Sequence, residues 1–147
     1  MLKRMISLFR IIAVSTVLAL LAGCAPRGET RTLDQVLESA RGRFEKADRS
    51  SVAPEAGTQL SRIEGHLKRL ADGEGAAEEL NAVADELGSL IPMAGFTNRP
   101  ALTELGNQYR QLSSSSNRSS GAIRLLVART YRALASEIET TKFRVAG

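Results

Sequence analysis

The chain has 147 residues, a formal net charge of +4, 43% hydrophobic residues and only 4% aromatic ones. That length suits one domain around one core and leaves no room for a second of usual size. Tryptophan is absent, and beyond residue 24 the aromatics are Phe44, Phe96, Tyr109, Tyr131 and Phe143, too few for a base-stacking platform or an aromatic-walled pocket.

The first ten residues carry Lys3, Arg4 and Arg10 with no acid, and residues 11–22 hold no charge at all. This is the layout of a secretory signal. The apolar run is about a dozen residues long, short of the ~20 that a spanning helix needs. It ends in Leu21-Ala22-Gly23-Cys24, which holds the only cysteine of the chain. These residues resemble a bacterial lipoprotein signal, whose lipobox reads Leu, a small residue, Gly or Ala, then Cys. The resemblance implies transfer of diacylglycerol to the Cys24 sulfur, cleavage between Gly23 and Cys24, and acylation of the new amino terminus. Each acyl CH₂ buried in a bilayer contributes about 0.8 kcal/mol, so a chain carrying two or three acyl groups stays anchored. Ala25 follows the cysteine; in a host with two membranes the resemblance then implies the outer one, with the protein facing the periplasm.

Removing residues 1–23 takes away three cations and no acid, leaving 17 basic against 16 acidic residues, or about +1. The basic balance of the full chain is therefore poor evidence for nucleic-acid binding, and no nucleic-acid partner is expected. With Cys24 acylated no thiol remains to pair, so the fold must hold by packing alone.

After Cys24 no run of alternating β-branched residues occurs, and the reading is all-α: a small bundle of four or five helices. Residues 1–23 are expected to be the cleaved signal, 24–31 a lipidated tether, and 32–147 a single helical-bundle domain. The tether contains Pro26 and Gly28 and at ~3.5 Å per residue reaches at most about 25 Å. Thr32 to Gln35 has the form of a capping box, and Leu33, Val36, Leu37, Ala40, Phe44 and Ala47 recur at helical spacing behind it. A break at Ser50 to Pro54 precedes the stripe Leu60, Ile63, Leu67 and Leu70 of a second helix, which ends near Gly73. Leu80, Val83, Ala84, Leu87, Leu90 and Ile91 mark a third, stopped by Pro92, with Glu78 and Glu79 where the helix dipole favours acids. So short a turn makes the second and third helices antiparallel neighbours.

Pro100 falls in the first turn of a fourth helix bearing Leu102, Leu105, Tyr109 and Leu112. Ser113 to Gly121 reads as a flexible serine-rich connection. The fifth helix is expected from about Ala122 to Thr141, and Ile123 to Ala128, apolar on nearly every side, is the expected most buried part of the bundle. Gly57, Gly65, Gly88 and Gly106 fall inside these helices at a cost near 1 kcal/mol each, implying marginal helices or closely crossing backbones.

No catalytic set emerges. His66 is the only histidine and has no second histidine or free thiol with which to hold zinc. The serines of the connection lack a nucleophile elbow. Glu78, Glu79, Asp85 and Glu86 read as solvated acids, with no ordered set of further oxygen ligands for a cation. No cofactor beyond the lipid on Cys24, no metal and no enzymatic activity are therefore expected.

Charge is segregated. Cys24 to Glu104 holds 10 basic and 14 acidic residues, whereas Leu105 to Gly147 holds seven basic and two acidic ones. Between Leu105 and Ser136 there is no acid, while Arg110, Arg118, Arg124, Arg129 and Arg132 appear. These arginines either pair with acids on the first three helices or form a surface for an anionic partner: lipid headgroups, cell-wall polymer or an acidic protein. The expected protein is a membrane-anchored envelope lipoprotein acting as a non-enzymatic adaptor or structural module. The alternative is a periplasmic-side binding protein holding a small or lipid-like ligand, which requires an elongated apolar cavity among Leu87, Leu102 and Leu126.

Overall fold

The computed structural model divides the chain into two units, Met1–Thr30 and Arg31–Gly147. Its described residues are 30–74, 76–93 and 95–145, with side chains through Thr141. The signal segment and Cys24 lie outside them.

Among the described residues there are five helices and no strand: α1 (Leu33–Lys46), α2 (Pro54–Ala71), α3 (Ala76–Leu90), α4 (Arg99–Ser114) and α5 (Ser120–Val145). The small helical bundle read from the sequence is the fold. Each start has a local cause. Thr32 Oγ1 accepts from Gln35 N at 3.3 Å while Gln35 Oε1 accepts from Thr32 N at 2.9 Å, completing the capping box of α1. Proline opens α2 and lies in the first turn of α4, where its missing N–H is one of the orphans anyway. Asn98 caps α4 by accepting from Ala101 N. Ser119 does the same for α5, its Oγ accepting from Ala122 N at 3.1 Å, so α5 begins two residues earlier than the apolar pattern suggests. Since α4 runs to Ser114, the serine-rich connection shrinks to Ser115–Ser119.

The helices α2, α3, α4 and α5 form an up-and-down bundle: α3 packs against α2 and α4, while α5 touches α2 and α4 but lies diagonally across from α3. The remaining helix, α1, packs along α5. Ion pairs fix their relative direction. Asp34 near the start of α1 meets Arg124 near the start of α5 at 2.8 Å, and Arg43 near the end of α1 meets Glu139 further along α5 at 2.5 Å. The two helices therefore run parallel, with their amino-terminal ends together.

Leucines dominate the core: Leu60, Leu67, Leu80, Leu87, Leu90, Leu102 and Leu134 are fully buried, as is Ile63. From α1 come Leu37, Ala40 and Phe44, and the Phe44 ring lies tilted against Tyr131 with centroids 5.4 Å apart. The Arg49 guanidinium covers the Phe44 ring at 4.5 Å and reaches Glu64 on α2 at 3.3 Å, tying the end of α1 across to that helix. Tyr109 is buried, and its hydroxyl donates at 2.8 Å to Thr130 Oγ1, which spends its own hydrogen on the Leu126 carbonyl. Burial pushes the Tyr109 hydroxyl well above the usual tyrosine range, keeping it a neutral donor.

Two expectations about α5 and the glycines need correcting. The segment Ile123 to Ala128 is not the best buried part of the bundle, nor of α5: Leu125 is 49% exposed, whereas Leu60, Ile63 and Leu67 of α2 and Tyr131, Leu134 and Ala135 of α5 are closed off. The cause is that α5 has α1 on one flank and the four-helix core on another, and the position of Leu125 faces neither. Close backbone crossing explains one helical glycine at most. A Cβ on Gly106 would lie 3.7 Å from the Ala84 carbonyl oxygen, at the α3–α4 contact, whereas Gly57 and Gly88 have nothing within 4 Å of that position.

Candidate functional site

The five arginines of the acid-free segment separate into two groups. Arg110 pairs with Asp85 of α3 at 3.2 Å and Arg124 with Asp34 of α1 at 2.8 Å, the internal pairing that the charge pattern allowed. The Arg110 pair is exposed on both sides and contributes little to stability. Arg118 Nε donates to the Ser115 carbonyl at 2.9 Å, and Arg129 Nη1 to Gln108 Oε1 at 3.0 Å, so both charges face neutral oxygens. Arg132 is exposed and has no hydrogen bond or ion pair among the described residues. Leu125, Arg129, Arg132 and Ser136 recur in steps of three and four, so they share the exposed face of α5.

That face borders a cleft between α4 and α5. Its lower part, about 320 Å³, has Leu112, Ala122, Leu125 and Leu126 as apolar surface and Gln108 and Arg129 as polar wall. A smaller hollow of about 210 Å³ continues past Arg129 along Ala101, Leu105 and Ala133, with Glu104 as its one acid. Glu104 accepts from Gln108 at 2.8 Å, and Gln108 in turn accepts from Arg129. The amide thus bridges acid and arginine and holds the middle of the cleft in place.

A larger hollow, about 530 Å³, opens at the end of the bundle where α1 and α5 begin. Its lining mixes signs, with Asp72 and Glu74 from the α2–α3 turn facing Arg118 and Arg124. Leu87 and Leu102, which a ligand between the helices would have to touch, are fully buried and line none of these three clefts. Leu126 alone of that trio reaches one.

The acids of α3 are engaged separately. Glu86 accepts from Gln59, and Asp85 from Arg110. Glu79 accepts from Arg69 Nε at 2.8 Å and from His66 Nδ1 at 2.5 Å. Among the described residues no group of three His, Cys, Asp or Glu side chains is placed to hold a metal ion. Nor is any helix there long and apolar enough to cross a membrane.

Burial alone would raise Glu79, yet the hydrogen bonds from Arg69 and His66 and their charges outweigh it and hold its carboxyl below the usual glutamate range. Glu64 behaves alike: burial opposes, and Lys68 and Arg49 prevail. A lowered folded-state pKa means that the contribution is complete above the unfolded value and is lost as pH falls through the folded one. Unfolding free energy should therefore hold steady down to about pH 5 and then decline toward pH 3. Urea titrations across that range should show a smaller decline in Glu79→Gln; an identical slope would remove Glu79 from the account.

One functional-looking group escaped the sequence reading. Glu137 is 6% exposed, and its carboxylate accepts from Thr97 N at 2.7 Å and Asn98 N at 3.2 Å, in front of α4. One turn later Thr141 Oγ1 donates to the Gly95 carbonyl at 2.8 Å, with Gly95 at φ +100°. Together they clamp the α3–α4 connection onto α5, a structural role with no substrate-facing opening among the clefts described. Nothing local in the sequence marks Glu137, because its partners are backbone groups 39 and 40 residues away.

No family model, curated protein or solved structure matches this chain.

Proposed function

We propose that this chain is a lipid-anchored, non-enzymatic adaptor of the bacterial envelope. The carrying observation is the Leu21-Ala22-Gly23-Cys24 sequence behind a short basic and apolar leader. A helical domain whose cleft exposes Leu125 beside Arg129, which meets no carboxylate among the described residues, supports the adaptor half of the reading, because it offers a surface rather than a constellation of reactive groups. Acylation of Cys24 would hold the domain within about 25 Å of the bilayer, the reach of seven extended residues. In a two-membrane host the domain would face the periplasm from the outer membrane.

The test is Cys24→Ser in cells labelled with palmitate. The unaltered chain should incorporate label, mature to a smaller size and sediment with membranes; the variant should lose the label and the processing. A variant that still carries label and matures to the same size would overturn the anchor.

A further inference from the structure

We propose that the α4–α5 cleft receives an acidic amphipathic helix from a partner protein; this names the partner of the adaptor reading and rests on it. The long helix α5 has two flanks. Along one, α1 lies parallel and buries Leu37, Ala40 and Phe44. Along the other the cleft stays uncovered from Ala122 to Ala133, about three helical turns or ~16 Å. Its apolar surface includes Leu125, half exposed and the one large hydrophobic side chain left in solvent among the described residues. A trough of this length with an apolar floor and polar rims suits a helix presenting residues at i, i+3, i+4 and i+7.

Charge selects the sign of that helix. Arg129 forms part of the wall, and Arg132 stands one turn further along the same face with no ion pair among the described residues. Glu104 is the single acid of the cleft and is already bonded to Gln108. Carboxylates on the flanks of an incoming helix would meet uncompensated guanidinium groups, which accept them in bidentate geometry. A flat bilayer fits less well, because Leu126 lies at the bottom of a concavity and is only 6% exposed. A second copy of the chain fits less well too, since each helix α1–α4 has its apolar stripe buried already and none is left to insert.

The segment Arg31–Gly147 is a compact unit containing every core residue among the described ones, and can be tested on its own. Two fluorescent 18-residue helical peptides would share one leucine stripe, flanked by Glu in one and by Lys in the other. Anisotropy titrations should show the Glu peptide binding about tenfold more tightly at low salt, with the gap closing at high salt. Leu125→Glu and Arg129→Glu should each weaken Glu-peptide binding at least about fivefold with melting curves unchanged, and Arg129→Glu with Arg132→Glu should reverse the preference. Equal binding of the two peptides, or none, would overturn the proposal. Retention on phosphatidylglycerol vesicles that is lost in the double variant would assign the face to lipid instead. A dimer in sedimentation equilibrium that Leu125→Glu dissolves would assign it to self-association. No step depends on acylation, so failure here leaves the Cys24 result standing, and the reverse.

Discussion

Phe44→Ala should lower the unfolding free energy by about 3 to 5 kcal/mol, the range for emptying a large aromatic site in a packed core. The ring is wholly buried, lies against Tyr131 on one side and carries the Arg49 guanidinium on the other. Removing it opens a void at the α1–α5 seam and strips Arg49 of the surface that holds it toward Glu64. The seam should therefore loosen before the rest: amides of α1 should exchange faster in the variant while those of α3 and α4, packed on each other, keep their protection. Chemical denaturation measures the first effect and hydrogen exchange the second. A loss below about 1 kcal/mol would mean that α1 contributes little to the core.

Glu137→Ala should cost about 2 to 4 kcal/mol, because hydrogen bonds to a charged group contribute more than neutral ones and here the carboxylate serves two consecutive backbone N–H groups. Those amides also lie at the amino-terminal end of α4, where negative charge is favoured. Glu137→Gln keeps the shape and one acceptor oxygen, so it should lose about half as much. The order Ala worse than Gln, read from urea midpoints, is the diagnostic result. Equal losses would indicate that shape alone matters at this position.

Most of the helical pattern was legible because four helices each bury one stripe. Leu60, Ile63, Leu67 and Leu70 of α2 recur every three or four residues, and all four are buried. The fifth helix resisted the same reasoning for a geometric reason. It buries Ala128, Tyr131 and Ala135 as well as Leu126, Val127, Thr130 and Leu134, so apolar residues surround most of its circumference and no single face stands out. Leu125 differs from Leu126 only in standing in register with Arg129, Arg132 and Ser136, a narrow polar stripe that the run of apolar residues around it obscures. The capping chemistry was legible at Thr32 and less so at Ser119, one of several serines in a row, any of which suits a helix start.

The arginines show a second limit. The sign of the segment was legible but not its partition, since Asp34 and Asp85, which take up Arg124 and Arg110, lie 90 and 25 residues away along the chain. Only the parallel placement of α1 on α5 brings Asp34 to the beginning of α5. The pair consequently uses one arginine near that beginning, while Arg129 and Arg132 further up the helix have no ion pair among the described residues.

That parallel placement also governs how the domain would respond to a mechanical load. Tension between Thr30 and the carboxyl end of α5 draws α1 lengthwise over α5 rather than lifting it away from one end. The Asp34–Arg124 and Arg43–Glu139 pairs and the Phe44–Tyr131 contact then resist together, in shear, instead of parting one after another as in a peeled hairpin. An antiparallel α1 would have begun at the opposite end of α5, and the same pull would have unzipped it. The orientation of one short helix thus makes the point where the chain enters the domain a firm place to pull from.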